Sequence, residues 1–249
     1  MWEEKEFIDP FDTGEKYFWM KVEELGRYYF ARDEVNKTNY LSPRVCDIGS
    51  ASGYGARIIK ESAGEVLGLD ISDEYLSLAN KKQVDGVSYA KVNLEEEIDD
   101  FGKFDYIVSF ETLEHLTDAS HVLSFMQKSL TDDGLVIVSL PNPDFESVDE
   151  KGKPMNSYHK RTYKKEDVLS LFGKYGFVVD NILAQPYPNI FSKLESKLSK
   201  KNKLCLNSAD DELFKNEELI KYFAQVFARP TTEIIEKSYS FIYLFRKQL

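Results

Sequence analysis

The run of residues 45–55, with the sequence VCDIGSASGYG, most constrains what this chain can fold into. Apolar residues at its start predict a strand that leads through Asp47 into a loop of small residues, and a helix is expected from Tyr54. Small residues let backbone amides approach a ligand closely, and the N-terminus of the helix adds positive electrostatic potential. The segment therefore predicts a nucleotide-type binding site at the end of a buried strand.

The spacing of the glycines separates this loop from phosphate-binding loops. Its order from Asp47 to Gly55 is D-x-G-x-A-x-G-x-G, whereas dinucleotide sites use G-x-G-x-x-G and triphosphate sites end in Gly-Lys-Ser/Thr. A second acidic residue, Asp70, ends the next predicted strand. A carboxylate about 20 residues beyond such a loop can accept hydrogen bonds from ribose hydroxyls. A strand-end or helix-capping role for Asp70 stays open.

Strand and helix patterns alternate from Arg44 onward, which predicts a parallel sheet with helices on both faces. The first five predicted strands are 45–48, 65–69, 87–92, 104–110 and 135–140. The predicted helices are 54–63, 73–82, 119–130 and 164–175. A turn at Asp133-Gly134 is expected to open the fifth strand. Two further strands are predicted at 177–183 and 239–245.

Three regions are expected along the chain. Residues 1–43 form an N-terminal helical cap, because the spacing of apolar residues predicts a helix over about 14–34. Residues 44–188 and 237–249 form the core. Residues 189–236 are polar and too long for a plain hairpin loop, so we expect a helical insertion or lid there, between the last two strands.

Composition and charge exclude several classes of function. The formal net charge of -11 argues against broad nucleic-acid binding, which needs clustered Lys and Arg. No apolar run approaches the roughly 20 residues of a bilayer span, and the first residues lack the order of a signal peptide. Cys46 and Cys205 make neither a disulfide framework nor a zinc site. We therefore expect a cytoplasmic enzyme or binding protein without a metal site.

Four segments together resemble the class I S-adenosylmethionine-dependent methyltransferases. They are VCDIGSASGYG, LGLDIS, FDYIVSFETLEHL and DDGLVIVSLPNP, in this order between residues 44 and 143. The resemblance implies a Rossmann-like, doubly wound α/β fold with a mainly parallel seven-stranded sheet and an antiparallel edge strand. It also implies S-adenosyl-L-methionine as methyl donor, with S-adenosyl-L-homocysteine as product.

The same resemblance assigns cofactor contacts to the loops at the strand ends. In that family the glycine loop approaches the methionine part of the cofactor, and the acidic residue at the end of the second strand holds its ribose. The residue after the third strand faces the adenine. The loop after the fourth strand lies beside the methyl group that is transferred. Carried onto this sequence, these contacts are Asp47, Gly49, Ser50, Gly53, Tyr54, Asp70, Ile71, Asn93, Leu94 and Glu111. Ala51 replaces a common glycine and is expected to fit if its φ is negative. Asn93 replaces a commoner aspartate, and its carbonyl still suits the adenine amino group.

A narrower resemblance, to methyltransferases of sugar and surface-polysaccharide biosynthesis, rests on GRYYFA at 26–31 and NSYHKR at 156–161, with GYG and SFETLEH between them. It implies that Arg27 and Tyr28 close over the methionine end of the cofactor, where a guanidinium can grip a carboxylate through two hydrogen bonds. An ordinary surface arginine beside a core tyrosine is the alternative.

Three residues are candidates for catalysis, namely Glu111, His115 and His159. Methyl transfer to a hydroxyl needs a base, and histidine suits that role near neutral pH. For His115, a structural role in orienting its loop stays open. Tyr158, His159 and Arg161 are expected to contact the acceptor, with a solvated basic loop as the alternative.

The leading expectation is methyl transfer to an oxygen or nitrogen of a small-molecule or saccharide acceptor. One alternative is a quinone- or lipid-type O-methyltransferase with an apolar tunnel, for which the candidate lining residues are Phe191, Phe214, Phe223 and Phe227. Another is a cofactor-binding protein without transfer activity. We expect no nucleic acid partner and no membrane span, and leave a homodimer open.

Overall fold

The computed structural model describes residues 10–11, 18–37, 40–145, 154, 156–186, 216–233 and 238–248. Its strands are β1 Arg44–Ile48, β2 Glu65–Asp70, β3 Val87–Lys91, β4 Phe104–Phe110, β5 Leu130–Pro141, β6 Phe177–Pro186 and β7 Ser238–Lys247. Its α-helices are α1 Phe18–Asn36, α2 Tyr54–Lys60, α3 Asp73–Lys81, α4 Ser120–Ser129, α5 Lys165–Lys174 and α6 Glu217–Phe227, and a 3₁₀ helix covers Leu113–His115.

All seven strands form one sheet in the order β3-β2-β1-β4-β5-β7-β6. The pairs along β3-β2-β1-β4-β5 are parallel, and β7 runs antiparallel to both β5 and β6. This confirms the mainly parallel, seven-stranded α/β fold, with β7 lying one position inside the edge. The strand order reverses between β1 and β4, and doubly wound sheets bind ligands at such a reversal.

Alternating side chains of the strands feed two separate cores, one on each face of the sheet. Val45 packs with residues of α1, α2 and α6, whereas its neighbour Cys46 packs with residues of α4 and α5. Successive side chains of a strand point to opposite faces of the sheet. Because each face is covered by helices, residues on both faces of the strand must be apolar. This confirms the prediction of helices on both faces.

The fifth strand begins earlier than the sequence predicts. Leu130 already pairs with Phe104, and the residues that follow bulge before Leu135 pairs with Tyr106. The predicted turn at Asp133-Gly134 thus lies inside an irregular part of β5, and regular pairing starts at Leu135 as expected. The paired positions Phe104 and Tyr106 are two residues apart along β4, whereas Leu130 and Leu135 are five residues apart along β5. The extra residues of β5 therefore bulge out of the hydrogen-bonded ladder.

Helix α6 lies in the region predicted as an insertion, of which the structure describes residues 216–233. Ile220 and Ala224 are buried in the same core as α1, and a Cβ at Gly26 would come within 2.5 Å of the Ala228 carbonyl oxygen. The helix expected in this region is therefore present and packs closely on α1. Residues 189–215, like residues 14–17 of the first predicted helix, lie outside the described ranges.

Candidate active site

The carboxyl ends of the four neighbouring strands β1 to β4 meet at one edge of the sheet. In the register of the sheet, Ile48 lies beside Leu69 on one side and Ser109 on the other, and Asp70 lies beside Lys91. The loops that follow these strands therefore start side by side. This geometry brings together the predicted cofactor residues of the glycine loop, Asp70, Asn93 and Glu111.

The glycine loop is fixed against its neighbours by backbone contacts. The amides of Gly49 and Ser50 both donate to the Leu69 carbonyl, at 2.8 and 3.0 Å. Gly49 and Gly53 have φ values of +78° and +72°, which favour glycine. A Cβ at Gly53 would also collide with the hydroxyl of Tyr89. The two glycines are thus required by both conformation and space.

Ala51 also adopts a left-handed conformation, with φ at +45°. The negative φ that was the condition for an alanine to fit here is therefore not present. The Ala51 amide donates to Asp70 Oδ2 at 2.9 Å, and this hydrogen bond holds the residue in a conformation that alanine rarely adopts. The loop therefore keeps a glycine-like turn despite its extra methyl group.

Asp70 links the glycine loop to the start of α3. Its Oδ1 accepts from the Ser72 amide at 2.8 Å, while the Ser72 side chain accepts from Tyr75 as the N-cap of α3. The capping position is thus filled by Ser72, and an ionised carboxylate accepts up to about four hydrogen bonds. The Asp70 carboxylate can therefore still accept hydrogen bonds from ribose hydroxyls. The neighbouring Ile71 side chain is 57 % exposed.

Asp47 and Ser50 supply buried polar atoms beneath this loop. Asp47 is fully buried, and its Oδ1 accepts from the Tyr28 hydroxyl at 3.3 Å. Its Oδ2 and the Ser50 hydroxyl have no hydrogen-bond partner among the described residues. Burial raises the pKa of Asp47 to about 7. Buried polar atoms are normally satisfied, so these two fit a site that a polar ligand completes.

Arg27 lies at the centre of a buried charged network, so the alternative of a surface arginine is wrong. Its side chain is 1 % exposed, and its Nη1 donates to Gln185 Oε1 at 2.9 Å while Nη2 donates to Glu24 Oε1 at 2.5 Å. Burial disfavours its charge, but the Glu24 and Glu111 carboxylates raise the pKa of Arg27. Its Nε has no hydrogen-bond partner among the described residues.

Two tyrosines pack between this network and the glycine loop. Tyr28 makes edge-to-face contacts with Tyr54 at 5.2 Å and with Phe110 at 5.1 Å between ring centroids. The Tyr54 hydroxyl donates to Glu24 Oε2 at 2.8 Å. A Cβ at Gly55 would collide with the Tyr28 ring, so the last glycine of the loop is required for this packing.

Glu111 follows β4 directly and has a φ of +45°. Its amide donates to the Ser139 hydroxyl oxygen at 3.0 Å, and the same hydroxyl donates to Glu111 Oε1 at 2.7 Å. Burial raises the pKa of Glu111, and the charge of Arg27 opposes that rise. Strained backbone at the end of a central strand is typical of functional sites.

Asn93 and Leu94 follow β3. The Asn93 side chain shapes its own loop, since its Oδ1 accepts from the Glu95 amide at 3.1 Å and its Nδ2 donates to Glu96 Oε1 at 2.7 Å. Leu94 is buried. The carbonyl of Asn93 keeps one further lone pair for a ligand amino group.

The two candidate catalytic histidines contact each other. The rings of His115 and His159 are 5.0 Å apart between centroids at an angle of 81°. Their segments are joined by backbone hydrogen bonds, because the amides of Lys160 and Arg161 donate to the Glu114 carbonyl at 2.7 and 3.2 Å. The fold thus brings the segment 158–161 against the 3₁₀ helix, while the Arg161 side chain is exposed.

Two residues of the site, Ser139 and Gln185, were not predicted from the sequence, and Glu114 was placed on the loop after the fourth strand without a role of its own. Ser139, Gln185 and Glu114 hold Glu111, Arg27 and the histidine segment respectively. Ligand atoms of Glu114, His115 and His159 lie within 4.8 Å of one another, although no metal-ligand spacing is visible in the sequence. The only available signal was that both histidine loops follow strands at the same sheet edge.

Comparisons with known proteins show which family this chain is similar to. A family profile described as a methyltransferase domain matches residues 22–182. The chain is 29% identical over 160 residues to a probable S-adenosylmethionine-dependent methyltransferase of Mycobacterium tuberculosis, covering 62% of this chain and 57% of that protein. It is 24% identical over 116 residues to a ubiquinone biosynthesis O-methyltransferase of Colwellia psychrerythraea, covering 45% and 47%.

A likeness to solved structures extends over more of the chain. A crystal structure of an S-adenosylmethionine-dependent methyltransferase from Mesorhizobium loti matches with a TM-score of 0.56 at 17% identity, covering 87% of this chain and 96% of that chain. At this identity the likeness shows the fold alone. The aligned part of the present chain spans little more than half the length of the Mycobacterium tuberculosis relative.

Proposed function

This chain belongs to the methyltransferase-domain family, and from that premise we propose that it transfers a methyl group from S-adenosylmethionine to an oxygen or nitrogen of a small-molecule or saccharide acceptor. The proposal is carried by one observation. The glycine loop, Asp70 and Glu111 meet at the carboxyl edge of the sheet, above buried polar atoms of Asp47 and Ser50 that lack hydrogen-bond partners among the described residues.

In this proposal each part of the donor has its own residues. The Nε of Arg27 offers a buried hydrogen bond to the methionine carboxylate, and Oδ2 of Asp47 offers an acceptor to its ammonium group. Asp70 would hold the ribose, and Ile71 with Asn93 and Leu94 would border the adenine. The sulfonium group, when bound, supplies an activated methyl carbon, so the protein contributes mainly positioning and exclusion of water.

The acceptor is assigned to the surface formed by the 3₁₀ helix and residues 156–161. His159 is proposed to act as the base for the acceptor hydroxyl. His115 packs against His159, and Tyr158 and Arg161 are proposed to contact the acceptor. The exposed guanidinium of Arg161 suits a phosphate or carboxylate on the acceptor. Glu111 lies three residues before Glu114 on the same loop and is proposed to face the reacting centre.

Calorimetry tests the donor site directly. We expect S-adenosylmethionine and S-adenosylhomocysteine to bind the wild-type protein, and Asp70→Ala to weaken both by at least about tenfold, since two charge-assisted hydrogen bonds to ribose are lost. Absence of heat with either ligand would overturn the proposal. Unchanged affinity in Asp70→Ala would remove only the ribose role.

A matched pair of histidine variants tests the acceptor site. His159→Ala is expected to lower turnover while leaving donor affinity unchanged, whereas His121→Ala changes neither, because His121 is exposed on α4. Sugars, nucleotide sugars and quinols offered with a labelled methyl donor provide the assay. Equal turnover in the two variants contradicts a role for His159.

A quinone-type acceptor is the second candidate, favoured by the similarity to ubiquinone biosynthesis O-methyltransferases. Of the four phenylalanines proposed to line an apolar tunnel, Phe223 and Phe227 pack at 5.3 Å between centroids in α6. Phe191 and Phe214 lie outside the described residues. Turnover of quinols but not of saccharides in the same assay would select this candidate.

The division of the chain is proposed on the same basis. A cap of residues 1–43, a methyltransferase core of 44–188 and 237–249, and a lid of 189–236 are supported by the packing of α6 on α1. The acidic net charge supports a partner other than nucleic acid. Within the part of the chain that the structure describes, none of the helices has the length and apolar character of a membrane crossing.

A further inference from the structure

We propose that Glu114, His115 and His159 form a binding site for a divalent transition-metal ion of the zinc type. One ligand atom from each residue lies within 4.8 Å of the other two. Two imidazole nitrogens and one carboxylate oxygen are a ligand set found in zinc enzymes. This site is separate from the donor residues, and metal binding does not depend on the proposed function.

The distances leave little rearrangement to complete the site. Bonds of about 2.0–2.2 Å to a tetrahedral ion put the ligand atoms roughly 3.3–3.5 Å apart. The atoms of Glu114, His115 and His159 need to approach one another by at most about 1.5 Å. Both histidine side chains are half-buried, and we assign this movement to their rotation.

The tautomer of His115 is fixed by its surroundings. Its Nδ1 lies 3.2 Å from the Tyr158 carbonyl oxygen, which can only accept a hydrogen bond. In a neutral ring Nδ1 therefore carries the proton, and we assign Nε2 as the metal ligand. Metal-binding histidines commonly donate their second ring N–H to a carbonyl or carboxylate in this way.

Backbone hydrogen bonds hold the segment of His159 against the segment of Glu114. The amides of Lys160 and Arg161 both donate to the carbonyl of Glu114, and His159 immediately precedes them. The segments that carry the three side chains are thus joined before any ion binds. Glu114 is also 1 % exposed, so its side chain is held inside the protein at this position.

The chemistry of the ligands selects the ion. Imidazole nitrogens suit zinc and neighbouring transition metals, whereas magnesium prefers oxygen ligands in octahedral geometry. The three ligands found among the described residues correspond to the three protein ligands of catalytic zinc sites, in which water or substrate takes the fourth position. Only under the proposed function does a further step follow, namely that the open position binds an oxygen atom of the acceptor, with His159 then acting as a metal ligand and not as a base.

Metal titration of untagged, chelator-treated protein tests the site. We expect one Zn²⁺ per chain by calorimetry, visible absorption bands with Co²⁺, and no comparable binding of Mg²⁺. His115→Ala, His159→Ala and Glu114→Gln should each weaken Zn²⁺ binding at least about tenfold. His121→Ala removes the one histidine of the chain that lies outside the proposed site, and this variant should bind Zn²⁺ as the wild-type protein does.

Absence of stoichiometric Zn²⁺ binding in the wild-type protein would overturn the proposal, as would unchanged binding in both His115→Ala and His159→Ala. Circular dichroism of each variant separates loss of the site from loss of the fold. Donor affinity is measured on the same samples without metal, so a failed metal site and a failed methyltransferase assignment give different results.

Discussion

Ala51 and Glu111 have left-handed backbones although neither is glycine. Both have φ at +45°, and they are the non-glycine residues with positive φ in the described ranges. Such a conformation costs about 1–2 kcal/mol. Hydrogen bonds from the Ala51 amide to Asp70 and from the Glu111 amide to Ser139 maintain it. The strain is thus concentrated on the two loops that flank the reversal of strand order.

Ala51 and Gly53 make a matched pair for testing this strain. Ala51→Gly is expected to change the free energy of unfolding by less than about 1 kcal/mol, because relief of strain opposes the greater freedom of glycine in the unfolded chain. Gly53→Ala is expected to destabilise by at least about 2 kcal/mol, since φ is +72° and the added methyl collides with Tyr89. Urea unfolding measures both. A larger loss in Ala51→Gly than in Gly53→Ala contradicts this account.

The buried carboxyl of Asp47 makes stability depend on pH. Burial raises its pKa to about 7, against about 3.9 for an unfolded chain. The folded state therefore binds more protons between these values. The stabilising contribution is fully present below about pH 4 and is lost as the pH rises through about 7.

We therefore expect Asp47→Asn to flatten the fall in stability between about pH 4 and 7 by at most roughly 4 kcal/mol. Burial also raises the pKa of Glu23 to about 8, so a shallower decline of the same sign remains in the variant. Urea unfolding at several pH values, without ligand, measures the difference. Parallel profiles of the two proteins contradict the buried-carboxyl account.

Gln185 ties two helices to the sheet through one side chain. Its Nε2 donates to the carbonyls of Glu23 in α1 and of Ala228 just after α6, both at 2.8 Å, while its Oε1 accepts from Arg27. The side chain is fully buried. Strand β6 thereby positions both helices and the arginine proposed to bind the donor.

Gln185→Ala is expected to destabilise the protein by about 2–4 kcal/mol, because it leaves several buried polar groups unsatisfied at about 1–3 kcal/mol each. It should also weaken donor binding through misplacement of Arg27. Gln225→Ala, an exposed glutamine on α6, is the control and should stay within about 0.5 kcal/mol of wild type. Similar urea midpoints for the two variants would remove Gln185 from this role.

The order of strands and helices could be predicted because periodicity and turn residues are local. The apolar run 104–110 became β4 with the same bounds, and the helix predicted at 164–175 became α5, Lys165–Lys174. The start of β5 was not predictable in this way. Pairing of Leu130 with Phe104 depends on a partner strand, which a local pattern does not contain.

The candidate site was predictable where it follows strand ends and not where distant segments meet. Asp70 and Glu111 were found because they end strands beside a glycine loop. The burial of Arg27 depends on Gln185, which is 158 positions away, and the contact of Glu114 with residues 160–161 depends on the fold. The positive φ of Ala51 is invisible in a sequence because it reflects a hydrogen bond to Asp70.

The proposed donor site couples both ends of the chain. Arg27 belongs to α1, and Gln185 connects it to the carbonyl that follows α6. A ligand that engages Arg27 therefore restrains the cap, the sheet and α6 together. A ligand that contacts only Asp70 and the loop after β3 leaves Arg27 without a ligand contact, so we expect it to restrain the core alone.

Hydrogen exchange distinguishes these two cases. S-adenosylhomocysteine is expected to slow exchange in the glycine loop, around Asp70, and also in α1 and α6. Adenosine lacks the methionine part, so it should protect the loops around 70–94 while leaving α1 unchanged. Each ligand is used at about 100 times its dissociation constant, which adds roughly 2.7 kcal/mol of stability to either complex. Equal protection of α1 by the two ligands would contradict the role of Arg27 at the methionine end, because global stabilisation would then account for the whole effect.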